Sequence, residues 1–116
     1  MVATNILGTE YTVKLDDLNN PELAEYSGKC FGYKKEILLR HPQYMFTDGA
    51  TDEEKQTRFK EVLIHELVHS YSRESGTQYD NDEALVDWIV SIIPKIVDSC
   101  NDVINQFKEE EANGNC

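Results

Sequence analysis

Residues 65 to 69 read HELVH, with His65 and His69 four positions apart and Glu66 between them. Four residues advance a helix by about 400°, so both imidazoles project from one face, roughly 6 Å apart along the axis. Imidazoles placed in this way can meet one divalent ion. Glu66 leans toward the same edge, close enough to act on a water held there without being a ligand itself. A metal site of this kind needs a third protein ligand, and catalysis needs a further open position. Fourteen residues past His69, the stretch DEALVDW supplies Glu83 and Asp87, again four apart. Glu83 can offer a carboxylate oxygen to the ion. Asp87, one turn on, can accept the N–H of a ligating histidine and fix its tautomer. The bland alternatives are two hydrogen-bonded histidines on an apolar helix and two acids near a helix N-terminus, where the dipole favours them.

Two helices must present these groups. Thr51 followed by Glu54 has capping-box spacing, and Asp52, Glu53 and Glu54 place negative charge where a helix begins. Phe59, Val62, Leu63, Leu67 and Tyr71 recur at helical spacing, and Gly76 supplies a stop. The pattern predicts a helix of roughly 20 residues with HELVH in its last turns. A second pattern begins at Glu83, where Val86, Val90, Ile93, Val97, Cys100, Ile104 and Phe107 alternate spacings of four and three. This predicts a long core helix folded back antiparallel on the first. Pro94 removes a donor within it, yet the stripe keeps its phase, which favours one kinked helix over two.

Upstream, the period-two alternation of EYTVKL (Glu10 to Leu15) predicts a strand. Lys29 to Tyr33 and Glu36 to Arg40 read as a hairpin or meander ended by Pro42. The expected fold class is α+β: a small antiparallel sheet of about three strands packed on the HELVH helix and a long, Pro-kinked C-terminal helix. Residues 1–108 are expected to form a single domain, and residues 109–116 a disordered polar tail.

Composition narrows the function classes. A formal charge of −11 without a Lys/Arg cluster argues against nucleic-acid binding. No apolar run approaches the roughly 18 residues of a membrane span, and MVATNILGTEYTV lacks the pattern of a secretory signal. Cys30, Cys100 and Cys116 are an odd count without CxxC spacing, so they read as buried or incidental thiols and suit a reducing compartment. Cytoplasmic localisation is the expectation.

HELVH followed by EALVD resembles the HExxH plus ExxxD signature of the gluzincin metallopeptidases, the thermolysin-like group. The resemblance covers roughly residues 50 to 90. It implies Zn2+ as cofactor, His65, His69 and Glu83 as ligands, Asp87 orienting His65, and Glu66 as general base on a zinc-bound water in peptide-bond hydrolysis. The stretch from His69 to Glu83 is shorter than in thermolysin, which implies a minimal version. The whole chain also resembles small phage and mobile-element proteins of the ImmA/IrrE group, with Val68 where that group usually has Gly. The implied partner is a specific protein or peptide substrate, in a bacterial host cell if the chain is phage-encoded.

Hydrolysis also needs a donor to the developing oxyanion. Tyr71, Tyr79, His41 and Arg73 are candidates, with Tyr79 preferred for its place in the loop leading to Glu83. The strand EILLR is either an edge along the cleft, able to pair with an extended substrate, or an ordinary core strand. The rival function is a zinc-containing interaction protein of phage or mobile-element origin that retains the site, cleaves nothing and binds a basic partner through its acidic surface.

Overall fold

A computed structural model describes residues 1–16, 23, 26–44, 49–77 and 82–114. The elements follow in the order β1 (Val2–Ile6), β2 (Thr9–Asp16), β3 (Gly28–Phe31), β4 (Glu36–Arg40), a 3-10 turn (Pro42–Tyr44), α1 (Asp52–Glu74) and α2 (Glu83–Ala112). The α+β class is borne out, but the sheet has four strands in the order β1-β2-β4-β3 and is mixed rather than antiparallel. β1 and β2 pair antiparallel, β3 and β4 pair antiparallel, and β2 and β4 pair parallel with Val13 opposite Ile37.

The extra strand is β1. It turns into β2 through Leu7 and Gly8, with φ of +50° and +92°, and Asn5 Oδ1 accepts the Gly8 N–H at 2.9 Å. Two positive φ values match the twist of a tight hairpin, but Leu is an unusual residue for that conformation, so the usual Asn-Gly or Asp-Gly signal is missing. The parallel pairing follows from β4. Ile37, Leu38 and Leu39 are all buried, and since neighbouring side chains on a strand point to opposite faces, β4 needs cover on both. EILLR is therefore an inner strand, and the edge role falls to β3. Lys29 and Lys34 ammonium groups stand over the Phe31 ring, 5.2 and 4.9 Å from its centroid, and such charges suit an edge.

α1 begins with the capping box expected of it. Thr51 Oγ1 accepts the Glu54 N–H and Glu54 Oε1 accepts the Thr51 N–H, each at 3.1 Å. Its inner face carries Val62 into a core with Ile6, Tyr11, Ile37 and Leu39, flanked by half-buried Phe59, Leu63 and Leu67. Tyr71 lies outside this core, 45% exposed. Gly76, at φ +77°, follows the helix in the left-handed conformation that ends many helices. The last turn is fastened to the sheet at Glu74, whose Oε1 accepts from the Tyr11 hydroxyl at 3.0 Å and from Lys35 Nζ at 2.7 Å. Those two donors hold the Glu74 carboxyl below its usual range. Burial, together with the bond to Glu74, pushes the Tyr11 phenol up to about 12.

α2 opens with Asp82 capping the Leu85 N–H at 3.0 Å and runs unbroken through Pro94 for 30 residues. It continues to Ala112, into the polar segment expected to be disordered, because the helical hydrogen bonds do not stop where the apolar stripe does. It folds back along α1: Glu83 reaches His65, and Pro94 and Lys95 line one cleft with Thr57 and Arg58. Among the described residues no helix is long and apolar enough to cross a membrane.

The sheet comes close to α1 at Gly28. A Cβ there would lie 2.7 Å from Val62 Cγ1, 3.1 Å from Leu39 Cδ2 and 3.2 Å from Glu66 Cγ. Only glycine lets β3 come this near to α1. Gly28→Ala is expected to cost about 1–3 kcal/mol in denaturant unfolding, as overpacking does elsewhere in protein cores. An unchanged midpoint would show that β3 and α1 are not in close contact.

Candidate metal centre

Four of the side chains singled out from the sequence, His65, His69, Glu83 and Asp87, meet at one place. His65 Nε2 and His69 Nε2 are 3.2 Å apart, Glu83 Oε2 is 3.4 Å from His65 Nε2, and Glu83 Oε1 is 3.2 Å from His69 Nε2. The histidines come from the second half of α1 and are mostly buried. Glu83 comes from the first turn of α2 and is 63% exposed. Among the described residues this trio is the one group of histidines, cysteines and acids placed to hold a metal ion.

The spacing fits an ion with short bonds. A tetrahedral centre with ligand bonds of about 2.0–2.1 Å sets its ligand atoms about 3.3–3.4 Å apart, and the three separations lie close to that edge length. Two imidazoles and a carboxylate also suit a borderline first-row divalent cation better than a hard ion, which prefers all-oxygen ligands. Asp87 Oδ1 lies 3.3 Å from His65 Nδ1. An acceptor there favours the tautomer with the proton on Nδ1, which leaves the Nε2 lone pair facing the trio. Helix periodicity explains the arrangement. The step of four puts His65 over His69 on α1 and Glu83 over Asp87 on α2, and antiparallel packing brings the two pairs face to face.

Glu66 differs from its neighbours. It is 6% exposed, on the side of α1 turned to the sheet beside Gly28, and its side chain makes no hydrogen bond among the described residues. Burial, with a smaller contribution from the negative charge of Glu83, raises its pKa to about 7. One turn on, Ser70 meets the same crowding by donating its hydroxyl to the Glu66 carbonyl at 2.9 Å, with Cys30 Sγ 3.2 Å from its oxygen. Burial raises the Cys30 thiol too, which suits a packing role.

Two clefts flank the centre. One, about 800 Å³, lies between α1 and α2 and includes His65, Glu66, Asp87 and Tyr26. The other, about 600 Å³, lies between α1 and β3 and includes His65, His69, Glu66, Glu83, Tyr26 and Arg73. Arg73 continues the His65–His69 face by one more step of four. Its guanidinium lies where a Cβ on Gly32 would collide with it, and it stands 5.2 Å from the centroid of the Tyr33 ring.

Of the oxyanion candidates, Arg73 reaches the centre's cleft. Tyr71 lines a separate apolar cleft, and His41 sits in a surface turn, where its Nδ1 accepts the Gln43 N–H at 3.2 Å. Tyr79 lies outside the described residues. Tyr26, on both clefts, escapes sequence reasoning, since a tyrosine ahead of a short strand carries no spacing signal; Gly28 and Gly32 escape it for the same reason.

The pH dependence of the metal-free protein should report on Glu66. Its folded pKa of about 7 lies above its ordinary 4.5, so the folded state holds the proton more tightly and stability falls as pH rises between those values. The cost of burying the carboxylate is absent below that window and complete above it, amounting to roughly 3 kcal/mol. With a chelator present, Glu66→Gln should gain about that much relative to wild type on going from pH 4 to pH 8 in unfolding experiments. A difference independent of pH would place the carboxylate in solvent.

Comparison of the chain with family models, curated proteins and solved structures finds no match.

Proposed function

We propose that this protein is a zinc-dependent metallopeptidase that hydrolyses a peptide bond in a specific protein target in the cytoplasm. The observation that carries this reading is the convergence of His65 Nε2, His69 Nε2 and Glu83 at tetrahedral edge lengths, with the buried Glu66 next in sequence to a ligand. His65, His69 and Glu83 would hold the ion, and Asp87 would orient His65. Bound zinc supplies a Lewis acid that polarises a carbonyl and lowers the pKa of water toward roughly 7.

The chain's own groups supply the rest. Glu66 carries its proton affinity near neutrality, where a general base and acid works best. Its carboxylate takes a proton from the attacking water and returns it to the leaving amine nitrogen as the C–N bond breaks. β3 is a sheet edge, and its residues Gly28, Lys29 and Cys30 line the cleft that holds the trio. An extended substrate can pair with such an edge through main-chain hydrogen bonds, so β3 takes the role that EILLR cannot fill.

Metal analysis tests the ligands, and Glu66 tests the chemistry. Purified protein should contain one zinc per chain, and His65→Ala or Glu83→Ala should lose it. Glu66→Gln should keep the zinc and lose all hydrolysis of a peptide library. Hydrolysis surviving in Glu66→Gln would rule out the mechanism, and zinc without hydrolysis in the wild type would favour a metal-stabilised interaction protein.

The cleft beside β3 also has a cationic wall, formed by Lys29 and Arg73, in a chain whose formal charge is −11. Substrates with an acidic residue near the scissile bond should therefore be preferred. Arg73→Gln should reduce that preference roughly tenfold in kcat/KM, as loss of one charge-assisted contact does. An unchanged preference would remove Arg73 from the substrate site.

A further inference from the structure

Among the described residues, the second half of α2 has no neighbouring element. α2 lies along α1 as far as Pro94 and Lys95, which sit beside Thr57 and Arg58 near the start of α1. From Lys95 to Gly114 every residue is exposed. The chain is correspondingly long, 59 × 40 × 28 Å, with a radius of gyration of 17.5 Å. A compact chain of this length has about 13 Å.

The projecting segment is not polar all round. Ile96, Val97, Val103, Ile104 and Phe107 are between 44% and 61% exposed, and Cys100 lies among them. Val90, Ile93, Val97, Cys100, Ile104 and Phe107 repeat at steps of three and four, the spacing of a helix–helix seam, and Ile96 and Val103 widen it on one side. A single solvated helix does not need such a stripe.

We infer that this stripe is the contact surface for a second copy of the chain, the two α2 helices packing antiparallel across the middle of the segment. The area supports a copy as the occupant. Pairing the stripe with itself removes on the order of 1,000 Å² from water, about the least that a specific interface needs. Charge sets the direction. A parallel pair would place Glu109, Glu110 and Glu111 of both copies side by side and align the helix dipoles, whereas an antiparallel pair puts the acidic ends at opposite ends and opposes the dipoles. In the antiparallel register Val97 faces Phe107 of the partner and Cys100 faces Ile104, which continues the apolar seam across both helices. The inference does not depend on zinc or on peptidase activity.

Light scattering on the full-length protein tests it. The expected mass is twice 13.3 kDa, and the pair should tighten with salt, because its seam is apolar and its copies repel through like charge. Val97→Asp combined with Ile104→Asp should give a monomer with unchanged helical circular dichroism. If that variant loses helix, Phe107→Ala gives the same reading through a dissociation constant raised at least roughly tenfold. Monomeric wild-type protein at high protein and salt concentration, or a variant that stays dimeric, overturns the proposal. Rapid, complete Cys100–Cys100 cross-linking by a mild oxidant would overturn the register in which Cys100 faces Ile104.

Discussion

Much of the structure depends on the close packing of α1 against the sheet at Gly28. With no side chain on that strand residue, the helix comes near enough to bury Val62 and to take Glu66 out of water in the same contact. The helix is held in that place from its far end by the Glu74 bonds to Tyr11 and Lys35. A helix packed at its middle, fastened at its last turn and filled along one face has little freedom to rotate. His65 and His69 are thereby presented to α2 in a fixed direction, and the separations among His65, His69 and Glu83 follow from it.

The same helix serves core and site, and its faces divide the work. Val62, Glu66 and Ser70 turn toward the sheet, Ile64, Leu67 and Val68 line an apolar cleft shared with α2, and His65, His69 and Arg73 lie between these two faces on the wall of the cleft beside β3. A carboxyl on the sheet face is costly to ionise, and that cost gives Glu66 a proton affinity unlike that of an exposed glutamate. The partners of α1 follow the same economy. β3 approaches without side-chain bulk, and α2 brings its polar first turn rather than its apolar stripe to the histidines.

Much of the fold and the site was legible in the residues because both rest on local periodicity. The capping box at Thr51, the stop at Gly76 and the steps of four in HELVH and EALVD are properties of a helix, and each appears where its spacing puts it. The first strand was hidden because its turn uses Leu7 in a conformation that residue seldom adopts. The parallel pairing of β2 with β4 was hidden because EILLR reads alike at an edge and in the middle of a sheet, and what decides is the cover on both faces.

Sequence by itself determined the two helices, the residue types at the candidate metal centre and which of them share a helix face, since helical spacing states which side chains project together. Tertiary structure alone decided which strand borders the cleft, that Glu66 is buried while Glu83 stays in solvent, that Arg73 and Tyr26 reach the same cleft, and that the second half of α2 is exposed all round. These depend on contacts between segments far apart in the chain, and no periodicity within one segment encodes how near another will come.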